Sequence, residues 1–234
     1  NVTARTGDPY IKIFEEEREQ TLMLCVDISP SGMFGTLNQT KTDLAIEICA
    51  VLAFSAIKNS DKVGLILFSD HIEKVVPPKK GKTHVLRLIR ELYTTKPTGR
   101  GTSIASALSY INRLLDRKAI VVLASDFQDD NFDKQLKITN QKHDLVSIIV
   151  NDEHEETLPN LGIIPLRDSE SNQEILIDTS SKKVRDAYYK KRVLRKKELS
   201  DKLLKMKIDS VEVNTNQSYV RPLMNFFLRR VNRY

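Results

Sequence analysis

The chain has 234 residues, of which 40% are hydrophobic and 29% charged, as in ordinary globular proteins. No run of about 18 apolar residues is present, so we expect no transmembrane segment. The net charge of +6 is local, because residues 182–207 hold twelve Lys and Arg against three Asp and Glu. Cys25 and Cys49 lie in apolar runs, which favours buried thiols over a disulfide. With no signal peptide visible, we expect a cytoplasmic protein.

Short apolar runs and helical spacing of apolar residues predict alternating strands and helices. Strands are predicted at 9–17, 21–27, 62–69, 72–76, 119–124, 145–150 and 210–215, and helices at 41–58, 84–93, 103–116, 131–142, 180–206 and 218–231. The piece at 72–76 is expected to be an antiparallel edge that ends at Pro77-Pro78. This order predicts an α/β fold of three layers, with a mostly parallel central sheet and helices on both faces.

The chain is expected to form one main domain. Residues 21–234 are assigned to it, with a hairpin insertion at about 160–180 whose strands are 163–167 and 173–178. Residues 1–20 are expected to be the end of a preceding β segment, trimmed at its amino terminus, because the chain begins without Met.

Polar side chains follow the first buried strand directly. Asp27, Ser29 and Ser31 come after the apolar run Leu22–Val26, in the loop at the carboxyl end of that strand. Open α/β sheets bind their ligands at this edge. One carboxylate and two hydroxyls on alternate residues can converge on a small hard cation, which prefers oxygen ligands.

Two further loops are expected at the same edge. Thr102 follows a Gly-x-Gly turn before a helix, and Asp126 follows the strand 119–124. Together with Asp27, Ser29 and Ser31 they make a candidate octahedral metal site with positions left for water or ligand. Each residue also has a simpler explanation: Thr102 can be the N-cap of its helix, Asp126 can cap a turn, and the serines can be ordinary loop residues.

The motif Asp-x-Ser-x-Ser at 27–31, with a distant Thr102 and Asp126, resembles the metal-ion-dependent adhesion site of von Willebrand factor A-like domains, which have a Rossmann-type fold. A wider set of segments resembles the bacterial family of unknown function encoded beside MoxR-type AAA+ ATPases. These segments are Ala4-Arg5-Thr6-Gly7, Glu15-Glu16-Glu17-Arg18-Glu19, Phe34-Gly35-Thr36, Asp61-Lys62-Val63-Gly64-Leu65, Gly99-Arg100-Gly101-Thr102, Ser125-Asp126-Phe127 and residues 219–227.

The resemblance implies a role for each residue of the candidate site. Ser29 and Ser31 would ligate Mg²⁺ (or Mn²⁺ or Ca²⁺) directly, Thr102 directly or through water, and Asp27 and Asp126 mainly through water. A poorly neutralised ion of this kind attracts a Glu or Asp from a protein partner. The resemblance therefore implies a non-enzymatic binding module, whose partner would be a MoxR-type ATPase or a client of that ATPase.

This chain departs from the common pattern at Pro30, between the two serines, and at Gly32-Met33, where Met often follows directly. Proline removes a backbone N–H and favours an extended conformation at Ser29. The departure bears on the affinity for the metal rather than on the fold.

Two other functions remain open. Asp27 after a strand superficially suits the aspartyl nucleophile of a metal-dependent hydrolase or phosphatase, although Ser29 stands where haloacid-dehalogenase-type phosphatases have a second Asp. The basic helix at 182–207 could bind nucleic acid or anionic lipid, although no aromatic interleaving or known reader motif accompanies its charge. The simpler interpretation of that helix is a solvated face with Val184, Tyr188 and Leu203 packed inward.

Overall fold

The computed structural model describes residues 19–33, 35–36, 39–167 and 174–231. Its strands are β1 (Thr21–Asp27), β2 (Gly35–Thr36), β3 (Gln39–Thr40), β4 (Lys62–Phe68), β5 (Ile72–Lys79), β6 (Ile120–Ser125), β7 (Asp144–Asn151), β8 (Ile163–Arg167), β9 (Glu174–Asp178) and β10 (Asp209–Asn214). Its helices are α1 (Lys41–Lys58), α2 (Lys82–Thr94), α3 (Ile104–Leu114), α4 (Asp133–Lys142), α5 (Lys182–Lys205) and α6 (Val220–Val231). The strand expected at 9–17 lies outside the described residues.

The central sheet has the strand order β10-β7-β6-β1-β4-β5. All neighbours pair in parallel except β4 and β5, so the predicted α/β class with a mostly parallel sheet is confirmed. The chain leaves β1 toward β4 on one side and later returns to β6 on the other. This reversal makes the carboxyl ends of β1 and β6 a topological switch point, where α/β folds bind ligands.

The strands alternate their side chains between two apolar layers. Leu24 and Val26 of β1 pack with residues of α1, α2 and α6 on one face. Met23 and Cys25 pack with residues of α3, α4 and α5 on the other. Because successive strand residues point to opposite faces, a continuous apolar run is what a strand covered on both sides requires. Cys25 and the α1 residue Cys49 are both buried free thiols, as expected.

Helix α1 begins at a capping box next to the switch point. The Asp43 amide donates to the Thr40 hydroxyl, and the Thr40 amide donates to the Asp43 carboxylate, both at 3.1 Å. These bonds satisfy amide groups that a helix start leaves unpaired. They also fix the orientation of the first turn, which places Lys41 toward the interior of the protein.

The edge strand β5 is longer than expected. It continues through Pro77 and Pro78 to Lys79, so the prediction that the two prolines end it is wrong. The pairing with β4 is irregular there, and neither proline has a pairing partner in the register. Proline is tolerated on an edge strand at such an irregularity, because no ladder hydrogen bond depends on its missing N–H.

The segment after β7 departs from the strand–helix alternation. Strands β8 and β9 pair antiparallel as a hairpin, and α5 follows as a helix of 24 residues. Only Leu203 of α5 is fully buried, while Val184 and Tyr188 are half-buried. Within the described ranges, none of the helices combines the length and the apolar character needed to cross a bilayer.

Candidate metal site

Asp27 ends β1 with its carboxylate inside the protein, 6% exposed. One carboxylate oxygen accepts the Ser29 amide at 2.9 Å, and the other accepts the Ser125 hydroxyl at 2.6 Å. Burial and the neighbouring charge of Asp126 raise the pKa of Asp27 to about 6, although the serine hydrogen bonds act in the opposite direction. The carboxylate is therefore held in place by donors but lacks a full compensating charge.

Ser29 and Ser31 present their hydroxyls together. A 3₁₀ turn spans Pro30–Met33, and the Gly32 amide donates to the Ser29 carbonyl at 3.0 Å. Pro30 is the first residue of this turn, a position where a helix has no use for its N–H. The Ser29 and Ser31 hydroxyl oxygens lie 3.0 Å apart. An octahedral Mg²⁺ site with bonds of about 2.1 Å has edges of about 3.0 Å, so this spacing suits two direct ligands.

Asp126 follows β6, whose residue Ala124 pairs with Val26 of β1. One of its carboxylate oxygens accepts the Gln128 amide at 3.1 Å, and the other accepts the Lys41 ammonium at 2.6 Å. Both oxygens thus already have donors, which suits a carboxylate that reaches a metal through water. Phe127 turns the chain with φ of 54°, a left-handed conformation that bulky residues rarely adopt.

The Lys41 ammonium is the main feature that the sequence did not predict. The side chain is 1% exposed and contacts two carboxylates, Asp126 and Glu155, the second at 2.7 Å. Glu155 in turn accepts from Arg192 of α5 at 2.9 Å. A buried ammonium group is stabilised only when carboxylates pair with it, and here the two carboxylates lie in the loops that follow β6 and β7.

Thr102 lies between the loops that follow β4 and β6. The next residue, Ser103, donates its amide to the Ser69 carbonyl at 2.7 Å, and the Ile104 amide donates to Asp129 at 2.8 Å. Ser103 is the N-cap of α3, so the alternative role of Thr102 as N-cap is wrong. The half-buried Thr102 makes no side-chain hydrogen bond within the described part of the chain, which leaves its hydroxyl available for a ligand.

A small cavity of about 10 Å³ lies beside these groups, lined by Asp27, Gly32, Lys41, Thr42, Ala45, Ser125, Asp126 and Val150. The Thr42 hydroxyl is buried there without a hydrogen-bond partner among the described residues. An orphaned polar atom in a polar cavity is where an ordered water is expected. Nowhere in the described ranges do three or more His, Cys, Asp or Glu form a metal-binding group, so a cation here would depend on hydroxyl and water oxygens. The donor set fits a hard cation that keeps several waters.

Some of the basic residues of α5 form ion pairs with acidic residues of other elements. Arg192 pairs with Glu155, and Lys196 lies 3.0 Å from Glu212. Lys202 pairs with Asp133 at 2.7 Å. These contacts support the simpler interpretation of α5 as a solvated, internally paired helix, and they reduce the charge available for nucleic acid.

The fold is that of a three-layer α/β domain, with a mostly parallel sheet between two layers of helices. BatB from Bacteroides thetaiotaomicron is similar in structure, with a TM-score of 0.55 and 14% identity over 92% of this chain and 100% of that chain. An aerotolerance-related membrane protein from Bacteroides fragilis has a TM-score of 0.52 and 16% identity over 83% of this chain and 91% of that one. Because the sequence identities are this low, the similarity to these two proteins concerns the fold alone.

The chain belongs to the family described as "Protein of unknown function DUF58", whose family model matches residues 1–198. It is 30% identical to the uncharacterized protein Rv1480 of Mycobacterium tuberculosis over 182 residues. That match covers 76% of this chain and 57% of the relative, so the chain spans little more than half the length of that relative.

Proposed function

We propose that this protein is a non-enzymatic, metal-dependent protein-binding module. Mg²⁺, or Mn²⁺ or Ca²⁺ in its place, would bind to the Ser29, Ser31 and Thr102 hydroxyls, with Asp27 and Asp126 acting through water. The observation that carries the proposal is the pair of serine hydroxyls 3.0 Å apart at the switch point. Two carboxylates beside them are already held by hydrogen bonds from the protein.

Neutral ligands determine what such an ion would do. Three hydroxyls leave most of the charge of a divalent cation uncompensated, so the ion attracts an anionic ligand from outside. A Glu or Asp side chain of a partner protein supplies the hard oxygen that the ion prefers. The ion would therefore serve as a bridge between two proteins.

The surroundings of Asp27 favour binding over catalysis. Both oxygens of Asp27 accept hydrogen bonds, which weakens the case for a nucleophile. No histidine in the described ranges is hydrogen-bonded to a residue of the candidate site, so a general base is not evident there. A hydrolase that used Asp27 as its nucleophile would need such a base, to activate the water that releases the product.

The metal proposal is tested by titrating Mg²⁺ and Mn²⁺ into the metal-free protein by calorimetry. Ser29→Ala removes one proposed ligand and is expected to weaken binding at least tenfold. Ser55→Ala, an exposed serine on α1, is the matched control and is expected to bind like the wild type. Equal affinities in all three proteins would contradict the site.

The partner we propose is a MoxR-type ATPase or one of its clients, met in the cytoplasm. A purified MoxR-type ATPase should be retained on the immobilised wild-type protein in Mg²⁺ and released by EDTA. Retention that persists in EDTA, or in Ser29→Ala, would show that the contact does not use the metal. No retention at all would exclude this ATPase as the direct partner.

A further inference from the structure

Glu73 of β5 lies beside the loop that delivers Thr102, and its side chain is 5% exposed. One carboxylate oxygen accepts three donors: the Ser69 hydroxyl at 2.6 Å, the Thr98 amide at 2.8 Å and the Gly99 amide at 2.9 Å. The other oxygen accepts the Thr98 hydroxyl at 2.8 Å. Burial opposes ionisation, but these hydrogen bonds outweigh it and lower the pKa of Glu73 to about 2.

Asp70 holds the next residues of the same loop. Its carboxylate accepts the Arg100 amide at 3.0 Å and the Gly101 amide at 3.3 Å. Four consecutive amides, from Thr98 to Gly101, are therefore bound by two carboxylates on the turn between β4 and β5 and at the start of β5. Such a loop has few other conformations available, because each displaced amide would lose a charge-assisted hydrogen bond.

Gly99 permits the close approach of the loop to this turn. A Cβ atom at Gly99 would lie 2.2 Å from an Asp70 carboxylate oxygen and 2.2 Å from the Ser69 hydroxyl. A Cβ atom at Gly101 would meet only the Asp70 Cβ at 3.7 Å, an ordinary contact. The loop therefore packs against the turn at Gly99, where no side chain fits, whereas a methyl group can be accommodated at Gly101.

We infer that Glu73 is a positioning residue for the metal site, which sets the place of Thr102 by binding the amides of the preceding loop. The inference rests on the proposed function, because Thr102 is one of the proposed ligands. Glu73 itself would not touch the ion. Glu73 acts as an anchor for the loop: it binds the backbone amides of Thr98 and Gly99, a few residues before Thr102. On the other side of Thr102, the Ser103 amide fixes the backbone by donating to the Ser69 carbonyl.

The conservative variant separates positioning from charge. Glu73→Gln keeps an acceptor oxygen for Ser69, Thr98 and Gly99, and its amide group can donate to the Thr98 hydroxyl. Glu73→Ala removes every acceptor. We expect Mg²⁺ affinity in Glu73→Gln within about threefold of the wild type, and a loss of about tenfold or more in Glu73→Ala. Glu91→Ala, which breaks an ion pair with Lys74 outside this loop, is the matched control and should bind normally.

The glycines give a second test within the loop. Gly99→Ala should push the loop away from Asp70 and weaken Mg²⁺ binding, while Gly101→Ala should leave it unchanged. Far-UV circular dichroism and thermal midpoints show that each variant is folded. This pair keeps the inference testable even if Glu73→Ala does not fold.

Hydrogen exchange of the loop amides provides a readout that needs no metal. In EDTA, exchange at residues 98–101 should accelerate in Glu73→Ala and Gly99→Ala, and remain slow in Glu73→Gln and Gly101→Ala. Faster exchange with unchanged Mg²⁺ affinity would overturn the link to Thr102, and unchanged exchange would overturn the anchor itself. A wild type that binds neither Mg²⁺ nor Mn²⁺, with the exchange pattern as expected, would refute the proposed function but leave the anchor intact.

Discussion

The raised pKa of Asp27 predicts that this residue destabilises the metal-free protein at neutral pH. The folded-state pKa is about 6, against an ordinary value of 3.8. The protonated form is therefore favoured in the folded state. The resulting stabilisation is fully present below about pH 4 and is lost as the pH rises through 6. The gap between the two pKa values corresponds to about 3 kcal/mol of unfolding free energy.

Asp27→Asn removes this pH dependence while keeping the side chain nearly the same size. The asparagine oxygen can accept the Ser29 amide, and its nitrogen can donate to the Ser125 hydroxyl. In EDTA, we expect the variant to gain stability relative to the wild type as the pH rises from 4 to 7, by about 2 to 3 kcal/mol. Urea unfolding curves at a series of pH values, recorded in parallel for both proteins, measure this difference.

Asp186→Asn, at an exposed aspartate on α5, is the control and should show a difference from the wild type that is flat with pH. A flat difference for Asp27→Asn as well would refute the claim that Asp27 is buried without sufficient compensation. Saturating Mg²⁺ should stabilise the wild type most above pH 6, where Asp27 is ionised and faces the cation, and should have less effect on Asp27→Asn.

Three other perturbations follow from the packing and the charges. Lys41→Met leaves the buried Asp126 carboxylate without its cation and Glu155 with Arg192 alone, and should lower the free energy of unfolding in urea by about 3 to 5 kcal/mol. The exposed Lys58→Met should lower it by less than about 0.5 kcal/mol, and similar losses in both would contradict the buried pair. Phe226→Ala should lower the free energy of unfolding by about 3 kcal/mol, while Met224→Ala, on the exposed side of α6, should lower it by less than about 0.5 kcal/mol. A larger loss for Met224→Ala than for Phe226→Ala would contradict the packing of α6 through Phe226. Replacing residues 190–192 with glutamine should not change the retention of the protein on a DNA column. If the wild type is retained in a salt-sensitive way and the variant is not, nucleic-acid binding through α5 is supported.

Local patterns were sufficient to predict most of the fold. The apolar run in β1 and the helical spacing in α3 identify those elements, because each has to bury a surface whose period is set by its own backbone. The same local rules failed at Pro77-Pro78, since they take no account of whether a strand lies at an edge. An edge position follows from the strand order, and no local pattern reveals that order.

The candidate site was predictable in part, because the carboxyl ends of parallel strands meet at one edge of a sheet. Lys41 was not predictable, because a lysine at the start of a helix normally extends into water. Its partners lie 85 and 114 positions away along the chain. The N-cap of α3 was misplaced by one residue, since both Thr102 and Ser103 can cap a helix and only the backbone decides between them.

The position of β1 in the middle of the sheet also bears on how the protein is made. One edge of β1 pairs with β4, which follows soon after it in the sequence. The other edge pairs with β6, and the hydrogen bond from Ser125 to Asp27 joins residues 98 positions apart. Until β6 has been synthesised, the nascent chain presents an open edge on a strand that is almost wholly apolar. Pairings of such long separation form slowly and leave the chain exposed to aggregation. Fragments that end before Ile120 should therefore be insoluble, and the loops that carry Asp27 and Asp126 can come together only after the ribosome has passed β6.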